Sequence, residues 1–244
     1  MTSSGYPRLS KLWSRGTPLV EAAPVWEIPQ DWVGLGAYSL HNPEGRHDLI
    51  TTTPEFFRGH HYLILGDRKV KLDLPEDVSL QGIFKDRLLI SLRTDWTVGG
   101  ATYPQDSLLA IDIDDFLQGS RGFQTLFAPS ERVSLSGVAA TRDSLLLATL
   151  DNVRGRLYRL RPGDGAWTRE EIPLPGPGSA SFEATTDQRE MFFFSYTDFL
   201  TPSSLYLVEG DGAPELLKRT PAWFDAAGMA TVQYEARSKD GTLI

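Results

Sequence analysis

The sequence predicts an all-β protein assembled from blades of four antiparallel strands. Three observations carry this reading: the apolar segments have strand length, they come in groups of four, and the groups recur about every 50 residues, the period of β-propeller blades. About four to five blades are expected.

The clearest group places strands at Ser79–Phe84, Arg87–Leu92, Ser107–Asp112 and Phe123–Phe127. A second follows at Ser134–Ala139, Ser144–Thr149, Arg156–Leu160 and Trp167–Leu174, and a third at Ser179–Ala184, Glu190–Tyr196, Ser204–Val208 and Pro214–Lys218. Second strands are apolar on both faces, as in Leu145-Leu146-Leu147 and Phe192-Phe193-Phe194, which suits a strand covered on both sides by neighbouring blades. Fourth strands such as Trp167–Ile172 are more polar and suit an outer edge facing solvent.

Turn chemistry marks the boundaries at Pro162-Gly163-Asp164-Gly165, Pro175-Gly176-Pro177-Gly178 and Gly210-Asp211-Gly212. One turn of helix is expected over Asp114–Gly119, with acidic residues at its start and a glycine stop. A weaker, earlier group has strands expected at Asp48–Thr53, Glu55–Phe57, His61–Leu65 and Lys69–Leu74. Before it, residues 1–47, with Pro18, Pro24, Trp26, Pro29 and Trp32, read as an N-terminal arm or partial blade. Blades then occupy residues 48–236, and residues 237–244 begin a link to whatever follows.

Composition narrows the function. With 41% hydrophobic and 23% charged residues the chain reads as a globular protein, and no apolar run approaches the roughly 20 residues of a membrane span. A net charge of -8 opposes attraction to phosphate backbones, so no nucleic-acid partner is expected. There is no cysteine, hence no thiolate metal site and no cysteine nucleophile. The start lacks a signal-peptide core, so a cytoplasmic location is expected.

No catalytic residue, cofactor or metal is expected in this chain. A serine nucleophile elbow needs Gly-x-Ser-x-Gly, and Ser136-Gly137 and Gly178-Ser179 match only fragments of it. Among the histidines His41, His47, His60 and His61, the adjacent pair cannot share a metal on a strand, because neighbouring side chains point to opposite faces. Asp112-Ile113-Asp114-Asp115 lacks the glycine and glutamate of a calcium loop and reads as a helix cap. Gly99-Gly100 lacks the pattern and helix needed to hold a phosphate. Trp96, Tyr103, Phe192, Phe194, Tyr196 and Phe199 suit core packing, with the lining of a peptide channel as the alternative.

Four segments carry a family resemblance: Asp95–Gly100 with Tyr103-Pro104 and Ser107–Asp112; Leu150-Asp151-Asn152-Val153-Arg154; Tyr196–Tyr206; and Arg237–Ile244. Together they resemble the propeller of bacterial prolyl-oligopeptidase-like serine peptidases, the last resembling the junction at which the family enters its α/β-hydrolase domain. The resemblance implies part of a seven-bladed propeller that gates peptide access to a hydrolase with a serine, aspartate and histidine triad. The implied partners are that hydrolase domain and short peptides. An open set of blades would expose edge strands able to self-associate. Arg93, Asp95, Asp151, Asn152, Arg154 and Asp198 follow second strands, and at such blade ends they are the candidates for facing the substrate cavity. The alternative is a stand-alone propeller that binds a peptide or a partner subunit.

Overall fold

The computed structural model describes residues 1–163 and 165–243. Asp164, in the turn expected at Pro162–Gly165, and Ile244, at the end of the expected link, lie outside the described residues. The chain divides into two compact units, Met1–Leu135 and Ser136–Ile244.

The first unit opens with β1 (Leu9–Leu12) and β2 (Ala23–Glu27), an antiparallel pair. Its first four-stranded sheet runs β3 (Gly34–Asn42), β4 (Gly45–Glu55), β5 (Arg58–Leu65) and β6 (Arg68–Lys71) in sequence order. The second has β7 (Ser79–Phe84) and β8 (Arg87–Ser91), then a separate hairpin of β9 (Trp96–Val98) and β10 (Ala101–Tyr103). It resumes with β11 (Leu108–Asp112) and, after helix α1 (Ile113–Leu117), ends on β12 (Gln124–Phe127).

In the second unit one sheet runs β13 (Val133–Ala140), β14 (Leu145–Asp151), β15 (Arg154–Pro162) and β16 (Trp167–Ile172), with β13 starting just before the division. The last sheet runs β17 (Ser179–Thr185), β18 (Met191–Thr197), β19 (Ser204–Glu209) and β20 (Glu215–Arg219). These are the expected four-stranded antiparallel blades, formed where the repeats place them.

The earliest blade differs in its strands. Its first strand is β3, ahead of Asp48, and Phe56-Phe57 is the exposed tip of the β4–β5 turn that the pair Glu55 and Arg58 closes. Two adjacent aromatics imitate strand propensity, while glycines at 34 and 36 hide the real strand. Lys71 ends β6, so Leu72 and Leu74 lie beyond it.

Local chemistry explains the other joints. Lys85-Asp86 and Asn152-Val153 are two-residue hairpin turns with positive φ at both positions, the geometry that matches strand twist. The Asp112 carboxylate accepts hydrogen bonds from the amides of Asp114 and Asp115 at 3.0 and 3.1 Å, which caps α1 as expected.

In the first unit Leu49 and Leu63 of one blade pack with Leu88, Ile90, Leu109 and Ile111 of the next. In the second, Leu146, Ala148 and Leu157 pack against Phe192, Phe194 and Tyr196. Leu145, Leu146 and Leu147 are all buried, as a doubly covered second strand requires. On β18 the burial alternates: Met191, Phe193 and Ser195 are only half-buried, because they stand on the outer face of the last sheet described.

Candidate functional site

The six blade-end candidates are all engaged in hydrogen bonds with other residues of the chain. Arg93 donates to the Ser79 hydroxyl at 3.3 Å. Asp95 accepts the Gln105 amide at 2.7 Å, which ties down the base of the β9–β10 hairpin. In the second unit Asp151 accepts from Arg156 at 2.8 Å, and Arg156 also donates to Glu171 at 2.8 Å. Asn152, with φ +49°, offers its carbonyl to the Gln233 side-chain amide at 3.1 Å, whose oxygen accepts from Arg154 at 3.1 Å.

Asp198 closes the β18–β19 turn. One carboxylate oxygen accepts the Tyr196 hydroxyl at 2.6 Å, and the other accepts the amides of Leu200 and Thr201 at 2.8 and 2.6 Å. Burial by itself would raise this carboxyl, but these hydrogen bonds together hold it below the usual carboxylate range. Burial and the bond to Asp198 push the Tyr196 phenol upward.

Within the second unit these turns meet. The Gly155 amide donates to the Gly178 carbonyl at 2.8 Å, and Gly178 packs so tightly that a Cβ there would stand 2.7 Å from the Tyr196 ring. Gly176 lies beside the Tyr196 hydroxyl and Asp198. The Asp151–Arg154 turn and Asp198 therefore share one end of that unit, joined through the Pro175–Gly178 turn. Gln233 completes the group, and no motif in the sequence marks it.

Of the six aromatics considered for a channel, five pack inside. Trp96 meets Phe123 edge-on at 5.1 Å, Tyr103 donates to the Phe123 carbonyl at 3.0 Å, and Phe194 stacks on Tyr206 at 5.0 Å. Phe192 and Tyr196 are buried, whereas Phe199 is 85% exposed at the β18–β19 turn. His60 and His61 part as expected: His60 meets Glu76 at 3.0 Å, and His61 is buried against the Thr51 hydroxyl at 3.0 Å.

A concave feature of the second unit lies between its two first strands. An open groove of about 410 Å³ runs along β13 and β17, its walls mostly small residues such as Ser136, Gly137, Ala139 and Ser181. This volume falls within the range of ligand clefts. Glu183 supplies its one carboxylate, and the lining residues include no lysine, arginine or histidine.

A family model described as the N-terminal β-propeller domain of prolyl oligopeptidase matches residues 95–219. The chain belongs to this family. Among curated relatives of the propeller, an uncharacterized peptidase of Sinorhizobium fredii is 29% identical over 257 residues, covering 100% of this chain and 35% of its own length. One from Rickettsia prowazekii is 26% identical over 254 residues, again covering 100% and 35%. The propeller chain thus spans about a third of the length of these relatives.

Solved structures agree on the fold. A post-proline cleaving enzyme from Rickettsia typhi superposes with a TM-score of 0.89 at 24% identity, over 100% of this chain and 37% of that one. Prolyl oligopeptidase B from Galerina marginata gives 0.69 at 15% identity, over 97% and 34%. The described residues include no helix long and apolar enough to cross a membrane.

Proposed function

We propose that this propeller domain is the cap of a prolyl-oligopeptidase-type serine peptidase and controls which peptides reach a hydrolase active site carried by the rest of the polypeptide. The observation that carries the reading is the groove along β13 and β17. The first strands of the two sheets in the second unit flank an open cleft walled by small side chains. Such a surface lets an extended chain slide and offers nothing to hold a folded domain. In this reading Arg93, Asp95, Asp151, Asn152, Arg154 and Asp198 act on peptide passage by holding the blade ends in place. The implied partners are the hydrolase domain and short peptides, and a cytoplasmic location is part of the same proposal.

The test compares two polypeptides on an N-acylated Gly-Pro fluorogenic amide. Residues 1–244 alone are expected to show no turnover, and a polypeptide extended to the full length of the relatives is expected to cleave the short substrate and spare folded proteins. Turnover by the 244-residue chain, or none by the extended one, overturns the reading.

A further inference from the structure

The first strand of the last blade carries a bulge. Phe182 lies opposite Phe194 and Ala184 opposite Phe193, so Glu183 has no partner on β18. A bulge inserts one residue and re-aims its side chain. The first unit repeats the device on β7, where Leu80 lies opposite Ile90 and Gly82 opposite Leu89, which leaves Gln81 without a partner. The same irregularity thus serves a neutral amide in one blade and a carboxylate in another.

Glu183 is exposed and lines the groove. Its polar neighbour is the Ser181 hydroxyl at 3.5 Å, itself 3.0 Å from the Ser195 hydroxyl. All seven residues from Ser179 to Thr185 line the cleft. Successive side chains on a strand point to opposite faces, so a groove touched by all seven follows the strand's edge. β17 is the terminal strand of its sheet, and the backbone groups on such an edge can pair with an added strand.

We propose that the β17 edge binds a peptide in extended form and that Glu183 selects a cationic side chain, lysine or arginine, within it. The carboxylate stands in a lining without any positive charge, so a cation brought by the ligand is its natural complement. The assignment rests on the peptide-access reading above and names the substrate class that the groove favours.

Fluorescence anisotropy on residues 1–244 tests it with C-amidated Ala-Ala-X-Ala-Ala probes carrying an uncharged fluorophore acylated on the N-terminus, in which X is Lys, Gln or Glu. The Lys probe is expected to bind about threefold to fivefold more tightly than the Gln probe, the strength of an exposed ion pair, and the Glu probe more weakly than either. Glu183→Gln should remove the Lys advantage while leaving the Gln probe unchanged, and N-methylation of alternate amides should weaken all probes. Raising the salt should erase the difference in the unmodified protein, a readout that stands even if the variant misfolds. Equal binding of all three probes, no binding, or a Lys advantage that survives in Glu183→Gln overturns the inference. If the extended polypeptide still cleaves the Gly-Pro substrate, the cap reading survives that result.

Discussion

The Glu190 carboxylate, on the last blade, accepts a 2.6 Å hydrogen bond from the Thr141 hydroxyl on the hairpin of the blade before it. It also accepts the Asp143 amide at 3.1 Å and the Ser144 hydroxyl. Arg159, only 3% exposed, brings its Nε to 3.6 Å from the same carboxylate and donates to Asp211 and to the Gly210 carbonyl. Glu190→Ala strips the cap from one blade and a counter-charge from a buried guanidinium. The expected loss is about 3 kcal/mol, the low end for breaking a buried pair because Arg159 keeps Asp211 and the Gly210 carbonyl, measured by urea unfolding. In Glu190→Ala/Arg159→Met the combined loss should be smaller than the sum of the two, because the residues share partners.

Gly178→Ala is a packing test. A Cβ at 178 would meet the Tyr196 ring at 2.7 Å and crowd the Thr197 carbonyl. Backbone cannot yield as a flexible side chain does, so the variant should lose about 2–3 kcal/mol, read as a lower midpoint in thermal melting.

Val153 offers the opposite change. It is β-branched, 74% exposed, and held at φ +64° by the hairpin turn, a region that costs such a residue about 1–2 kcal/mol. Val153→Gly creates the favoured Asn-Gly turn and should raise stability by about 1 kcal/mol, a melting gain of about 2–4 °C in a chain of this size.

Acid should weaken the first unit early. Burial is the main cause that pushes His61 below its ordinary range, with the charge of His60 adding to it and a bond to the Val78 backbone opposing. A depressed histidine is neutral when folded and gains a proton more readily when unfolded. Its contribution is therefore intact above about pH 6.5 and lost as pH falls below that value. Asp198, lowered in the fold, loses its contribution only below about pH 4. Stability measured between pH 7 and 5 should decline, and His61→Leu should flatten that decline while leaving the loss at lower pH.

The three later blades are legible because their second strands, Leu88-Leu89-Ile90, Leu145-Leu146-Leu147 and Phe192-Phe193-Phe194, are apolar throughout, and glycine and proline punctuate the joints, although on the last of them only alternate side chains are buried. The earliest blade is less so, since Gly34 and Gly36 weaken the signal of β3 and Phe56-Phe57 sits on a turn. The candidate site shows a sharper limit. Asp151, Asn152, Arg154 and Asp198 stand at one end of the second unit, yet their partners Arg156, Gln233 and Tyr196 decide what they do. Gln233 lies about 80 positions away, a separation at which periodicity carries no information. Glu183 and Glu190 look like ordinary surface acids in sequence, because a bulge register and a cap between blades exist only once the strands have paired.

Every four-stranded sheet here is laid down from one continuous stretch of chain. Among the described residues, no blade takes a strand from a distant part of the sequence to complete its hydrogen-bonded ladder. During synthesis each sheet can therefore pair as soon as its own segment leaves the ribosome, and short-range pairing of this kind is kinetically fast. Within each unit the apolar face of the earlier sheet is then covered by the sheet that follows it, so a nascent unit waits for one further sheet before its core closes.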